Sequence, residues 1–294
     1  MTRHKGKTAP KTGGSNGKKP PLTHFLCVPL VTASSRPQLE VSLARFRDQV
    51  AGIKSATSVS ALEDYQPGTQ GAGATPAVPE KAIRPVGTLH LTLGVMSLDE
   101  ERLTCAIELL HSIDTAELLK EVGLKASPAL LSITLESLHS MHSPSKTSIL
   151  YAIPTDPTNR LHAFASRIRS LFTDADLVVL DDRPLKLHAT IVNTIYAKKE
   201  GRKRPGRIAD SSSNSATSKG SNDRAEGHGP HSRAPIRLDA RELMDRYKDF
   251  VWAQDVAVEK VAVCKMGARK VVDEWGRVVD EVYEEVGSVA VVGR

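Results

Sequence analysis

The periodicity of apolar positions marks out the elements. The short apolar run Phe25-Leu26-Cys27-Val28-Pro29-Leu30-Val31 predicts a buried strand. With Lys18-Lys19 before it and Thr32-Ala33-Ser34 after it, the run loosely mimics a secretory signal, but it is short and broken by Pro29. Residues 36–51 predict a helix, with Leu39, Leu43, Phe46 and Val50 on one face behind a Ser35–Gln38 capping pair. Residues 66–80 (QPGTQGAGATPAVPE) form a loop, and residues 88–96 alternate as a strand. Ser97 with Glu100 then caps a helix whose apolar face is Leu103, Ala106, Ile107 and Leu110.

In the second half, strands are expected at 129–138 and 147–153. Asp156-Pro157 follows as an N-cap with a first-turn proline, opening a helix on Leu161, Phe164, Ile168 and Phe172. Further strands are expected at 176–181, 185–197, 255–266 and 280–292, with a short helix at 239–248. His139 and His142 read as residues of a Ser-rich turn. Helices and strands mix without strict βαβ alternation, so the predicted class is α+β with antiparallel sheets.

Charge refines this layout. The 294 residues carry a formal +6, but residues 1–20 alone hold six Lys or Arg and no acid, and residues 198–237 hold ten against four acids. The remainder therefore carries about −6, an acidic body with two basic polar segments. The expected organisation is a disordered basic tail at 1–21 and a two-lobed domain at 22–294, interrupted by a disordered basic insertion at 198–237. Within that insertion the cluster Lys198-Lys199, Arg202-Lys203-Arg204 and Arg207 suits nuclear import or contact with nucleic acid. Three widely spaced cysteines without a CxxC exclude a disulfide framework and a cysteine zinc site, and favour a reducing compartment, cytoplasmic or nuclear. No apolar run approaches the ~18 residues of a membrane helix, so no membrane partner is expected.

The candidate chemistry is a pattern that occurs twice: Leu89-His90-Leu91-Thr92-Leu93 and Leu187-His188-Ala189-Thr190-Ile191. On a strand, alternate side chains share a face, so His90 with Thr92, and His188 with Thr190, point away from their apolar neighbours. With ten histidines in the chain, about 0.7 His-x-Thr triplets arise by chance, and about 0.04 when all three flanks must be apolar. Two copies 98 residues apart therefore suggest two related lobes facing a cleft. One imidazole there can take a proton from an attacking hydroxyl while the other donates to a leaving oxygen, and the threonines can hold phosphoryl oxygens. No cofactor and no metal enters this scheme, since two strand histidines without nearby carboxylates do not make a zinc site. Lys186 shares the strand face of His188, and Arg84 lies on the approach to the first motif; either cation suits phosphate. Tyr196 falls on the parity of His188 and suits base stacking.

These motifs, HLTL at 90–93 and HATI at 188–191, resemble those of the 2H phosphoesterases. FLCVPL, TLHLTLGVMSLDEE, ILYAIP, LKLHATIVNTIY and LDARELMDRYKDFVW are similar to the branch shared by the phosphoesterase domain of an A-kinase anchor protein and the first subunit of the activating signal cointegrator complex. The resemblance spans about 22–292 apart from the insertion, and no KH-type GXXG precedes it. It implies a bilobal, pseudo-twofold α+β fold with antiparallel sheets flanking a central cleft and helices outside. It also implies activity on 2′,3′-cyclic phosphate or 2′,5′-linked RNA ends, with His90, Thr92, His188 and Thr190 catalytic. The expected partner is an RNA or oligonucleotide substrate, within a transcription or RNA-processing complex. The alternative is an RNA-binding or assembly subunit that keeps the fold with little turnover.

Overall fold

The computed structural model describes residues 20–50, 78–124, 131–181, 183–197 and 235–291. The expected tail and insertion lie outside the described residues except at their inner ends, 20–21 and 235–237. In chain order the elements are β1 (His24–Pro29), α1 (Ser35–Val50), β2 (His90–Met96), α2 (Glu100–Ser112), α3 (Thr115–Glu121), β3 (Ser132–Ser140), β4 (Ile149–Thr155), α4 (Arg160–Asp174), β5 (Ala189–Asn193), α5 (Arg241–Arg246), β6 (Val251–Ala257), β7 (Lys260–Lys265), β8 (Arg269–Val272), β9 (Val278–Val282) and β10 (Glu285–Ala290).

Eight strands form one large curled antiparallel sheet in the order β10-β7-β1-β2-β5-β4-β3-β6, and β8 pairs with β9 as a separate hairpin. The order is symmetric about its middle. Each half ends inward on a motif strand, β2 or β5, that is connected to its neighbour by a helix: β1-α1-β2 in lobe 1 and β4-α4-β5 in lobe 2. The fold is thus α+β, bilobal and pseudo-twofold, as the motif duplication implies.

The period of two explains the core. Leu26 and Val28, Leu91 and Leu93, Leu150 and Ala152, Ala189 and Ile191, and Val261 and Val263 all turn to one face of the sheet. Leu39, Leu43, Phe46 and Val50 of α1 and Leu161, Phe164, Ile168 and Phe172 of α4 cover it. Truncating a buried phenylalanine such as Phe46 or Phe164 to alanine should cost about 3–5 kcal/mol. Each connecting helix also leans toward the other lobe. From α1, Ser42 Oγ donates to Trp252 O (2.8 Å) and Gln38 Nε2 to Gln254 O (3.1 Å), both on β6. The chain after α4 returns the contact, where Val179 N donates to Val95 O (2.8 Å) on β2. The two lobes therefore share one core.

Several local expectations change. The reciprocal cap before α1 is Thr32 with Ser35, each side-chain oxygen accepting the other's N–H, rather than Ser35 with Gln38. Asp99, not Ser97, caps α2 by accepting from Arg102 N (2.9 Å). The helix expected at Asp156-Pro157 starts at Arg160, because the Asp156 carboxylate holds the intervening turn through Thr158 N (2.8 Å) before it reaches Leu161 N (2.8 Å). Residues 176–181 carry the Val179 bond to β2 but form no strand. The stretch 185–197 is a five-residue strand followed by a 3-10 turn, Thr194–Tyr196. The strands expected at 255–266 and 280–292 are each two, β6 with β7 and β9 with β10.

Candidate active site

The motif strands meet at one point, the antiparallel pair Leu91–Ala189. That register sets His90 level with Thr190, and Thr92 level with His188, all four on the face opposite the core. Beyond the single pair the motif strands part. Ile83 bridges to Val192, and Arg84 N donates to Ile191 O (2.8 Å), so the segment entering the first motif lies along the strand of the second. The structure thus brings His90, Thr92, His188, Thr190 and Arg84 together at the seam.

Both imidazoles are held the same way. His90 Nδ1–H donates to Thr88 O (2.7 Å) and His188 Nδ1–H to Lys186 O (2.8 Å), in each case the carbonyl two residues upstream. A carbonyl can only accept, so both neutral rings carry their proton on Nδ1 and leave Nε2 with a lone pair. Each ring also has a tyrosine edge against it: Tyr283 beside His90 (5.2 Å between centroids) and Tyr151 beside His188 (5.3 Å). The hydroxyls of Thr92 and Thr190 are engaged by no other described residue.

The electrostatics differ between the two. His90 is pushed down to about 4, first by burial, then by the Arg84 cation and the second imidazole, against the opposing pull of the Thr88 carbonyl. His188 is lowered by burial and by the Lys186 ammonium, opposed by the Lys186 carbonyl. A ring so lowered is an unprotonated base at neutral pH.

Arg84 is the unusual group. It is only 5% exposed, and its guanidinium lies 4.0 Å from the Tyr196 ring centre. Its Nη2 has no hydrogen-bond partner among the described residues, an omission that costs about 1–3 kcal/mol where no anion compensates it. Lys186 is exposed instead, with Nζ 4.7 Å from the Tyr151 ring centre. Tyr196 reaches the site from the 3-10 turn after β5, so strand parity is not what places it; its ring covers Arg84 and is 48% exposed. Among the described residues no three His, Cys, Asp or Glu side chains converge as a metal site would require.

Sequence reasoning missed Tyr283, Tyr151 and His139, which is on β3 and stacked on Tyr151 (5.9 Å). The only available signal was Tyr151 in ILYAIP, whose neighbours Leu150 and Ala152 face the core.

Residues 22–282 match the family described as the AKAP7 2′5′ RNA ligase-like domain. The chain belongs to this family. It is therefore a 2H phosphoesterase of the A-kinase-anchor-like branch. A Schizosaccharomyces pombe protein, "Uncharacterized protein C15D4.13c", is 28% identical over 204 residues, covering 68% of this chain and 76% of its own. Among solved structures, Escherichia coli LigT complexed with 3′-AMP aligns at 14% identity with a TM-score of 0.42, over 92% of this chain and 98% of LigT. TT0787 of Thermus thermophilus aligns at 15% identity with a TM-score of 0.40, over 93% of this chain and 100% of its own. In this AKAP7-like domain no helix among the described residues is long and apolar enough to cross a membrane.

Proposed function

We propose that the protein is a phosphodiesterase of RNA ends and small oligonucleotides, opening a 2′,3′-cyclic phosphate or a 2′,5′ linkage with His90 as general base and His188 as general acid. The observation that carries this reading is the matched pair of Nδ1–H bonds, which leaves two Nε2 atoms to work on the open face of one seam. On a cyclic phosphate, His90 Nε2 takes a proton from water as the water oxygen bonds to phosphorus. The P–O bond to the ribose breaks, and His188 Nε2–H gives its proton to that oxygen. Two imidazoles supply both proton transfers, so the scheme needs no metal. Thr92 and Thr190 donate to the non-bridging oxygens, whose charge rises in the transition state.

The division of roles follows from the surroundings of each ring. His90 is beside the buried Arg84 cation and is the poorer place for a proton, while His188 sits in the more open lobe and keeps it once the phosphate anion is bound. Arg84 Nη2, lacking an acceptor, is available to the phosphate charge when the Tyr196 ring moves aside. Lys186 adds a second, solvated cation, and the outer face of Tyr196 is open to a base.

The test incubates the pure protein in chelator with adenosine 2′,3′-cyclic phosphate and a 2′,5′-linked adenosine dinucleotide. Turnover of either supports the reading. Turnover that appears only with an added divalent ion would replace the acid–base pair with metal catalysis, and RNA binding without turnover of any substrate would favour the assembly-subunit alternative.

A further inference from the structure

Cys27 and Cys264 lie far apart in the sequence, and the sheet brings them together. β1 and β7 pair antiparallel with Cys27 opposite Ala262 and Phe25 opposite Cys264, so the two thiols are diagonal neighbours on one face. Their Sγ atoms are 3.9 Å apart. That face is the functional one, because Cys27 also stands opposite Thr92 on β2, where the register shifts between Leu26 and Cys27. Phe25, the residue opposite Cys264, packs on the His90 ring with 4.8 Å between centroids. The proposed acid–base chemistry uses neither sulfur.

Both thiols are buried, yet both line a cavity of about 190 Å³ whose wall includes His90. Sites for small organic ligands usually measure about 300–1,000 Å³, so this space suits a molecule only slightly larger than water. The two sulfurs are not equivalent. The hydrogen bond between them lowers Cys264, opposed by burial, and raises Cys27, which burial raises further. Lys260 lowers both thiols and Glu285 raises both, and these two charges also line the cavity. Cys264 is therefore the sulfur that ionises first, with the Cys27 thiol holding its proton beside it.

We propose that Cys27 and Cys264 are a peroxide-oxidised pair that closes to a disulfide and thereby disables the His90 half of the site. The Cys264 thiolate attacks one oxygen of hydrogen peroxide, the O–O bond breaks, and the departing hydroxide leaves as water with the proton that Cys264 released. Cys27 Sγ then attacks the sulfenic sulfur of Cys264. The S–O bond breaks, and the second hydroxide leaves as water with the Cys27 proton. Two thiols and one peroxide thus give one disulfide and two waters, with two electrons passing from the sulfurs to the peroxide. An S–S bond is about 2.05 Å long, so closing the 3.9 Å gap draws β1 toward β7 and displaces Phe25 and the strand opposite Thr92. In a reducing compartment such a bond is transient, which suits a reversible switch. The effect on turnover rests on the phosphodiesterase reading; the bond itself does not.

The experiment treats the full chain with hydrogen peroxide in chelator, then with dithiothreitol, and maps non-reduced peptides by mass spectrometry after free thiols are blocked. The natural protein should yield a Cys27–Cys264 cross-linked peptide, with the exposed Cys105 recovered outside it. Turnover of adenosine 2′,3′-cyclic phosphate should fall by about 10–100-fold as the cross-link forms, the cost of a misplacement of about 1 Å, and recover on reduction. Cys264→Ala should keep its turnover through the same treatment, and Cys27→Ala should leave Cys264 as a sulfenic acid that dimedone traps. Absence of the cross-link in the oxidised natural protein overturns the proposal and leaves the phosphodiesterase reading in place, and neither variant is needed for that result. A cross-link that forms with turnover intact overturns the switch. A natural protein with no turnover before oxidation overturns the phosphodiesterase reading, while the peptide map still decides whether the pair closes.

Discussion

Lobe 1 and lobe 2 are two copies of one scaffold, to which the proposed reaction assigns different halves of the chemistry. Each offers a strand, a helix and a motif strand, and each fixes its histidine by a bond to the carbonyl two residues upstream. What differs is the charge and the openness around the ring. Lobe 1 surrounds His90 with Phe25, Tyr283 and the buried Arg84, while lobe 2 leaves Lys186 in solvent and an open slot lined by Tyr151, Lys186 and Leu187. Symmetric strands supply geometry, and in the proposed mechanism asymmetric neighbours turn two equal imidazoles into a base and an acid.

The largest expected effect breaks the pair outright. His90→Ala and His188→Ala should each lower kcat by about 10²–10⁴-fold on a nucleoside cyclic phosphate in steady-state assays. The double variant should be little worse than the worse single one, because the two rings act as a unit. Near-natural turnover in either single variant would remove that histidine from the mechanism.

The next effect sharpens the contrast between cations. Arg84→Met should raise KM or lower kcat by about 10–100-fold, the value of a charge-assisted hydrogen bond. Because Nη2 is already without a partner, the same variant should melt no earlier than the natural protein. Lys186→Met, removing an exposed charge, should cost clearly less activity. Equal losses at the two positions would contradict that contrast. Thr92→Ala and Thr190→Ala should follow, each about tenfold or less in kcat/KM, since the imidazoles stay in place.

The smallest effect on chemistry is expected from the basic segments. Removing residues 1–19 and bridging 198–234 with a short Gly/Ser linker should leave kcat on a mononucleotide unchanged. The bridge has little distance to span, since Thr194 Oγ1 donates to Ile236 O (2.6 Å) just outside the excised stretch. Deletion should flatten the salt dependence of binding to long RNA, because the body is net acidic and those segments concentrate the Lys and Arg that release counterions. Superimposable slopes for full and trimmed protein would assign those segments to import instead.

Much of this comparison was legible in the sequence. Strict alternation in LHLTL and LHATI predicted both the core face and the functional face, and the duplication implied two lobes. Helix faces such as Leu39, Leu43, Phe46 and Val50 were equally clear, because burial there depends on period alone. Boundaries were not, because they depend on which polar atom takes a particular N–H: Asp156 holds a turn before α4, and Asp99 outcompetes Ser97. The asymmetry of the site was invisible, since Tyr283 reaches His90 from a distant segment through Asp280 and Gly87, and Arg84, although close in sequence, is set in place by the backbone of Ile191 on the other motif strand. Tyr196 entered the site by a 3-10 turn that strand parity does not describe.

The pH dependence of kcat/KM tests the assignment of roles most directly, measured on adenosine 2′,3′-cyclic phosphate for the natural protein and the two single histidine variants. His90 must be unprotonated to act as base, so activity should rise with pH through its value of about 4. His188 must be protonated to act as acid, and its value is lowered from 6.5, so activity should fall again with a midpoint below 6.5. The natural protein should therefore show a bell on the acid side of neutrality. His90→Ala should lose the rising limb and keep the falling one, and His188→Ala should do the reverse. If each variant lost the opposite limb, the roles would be exchanged, and if both kept the full bell, the two imidazoles would not be the acid and the base.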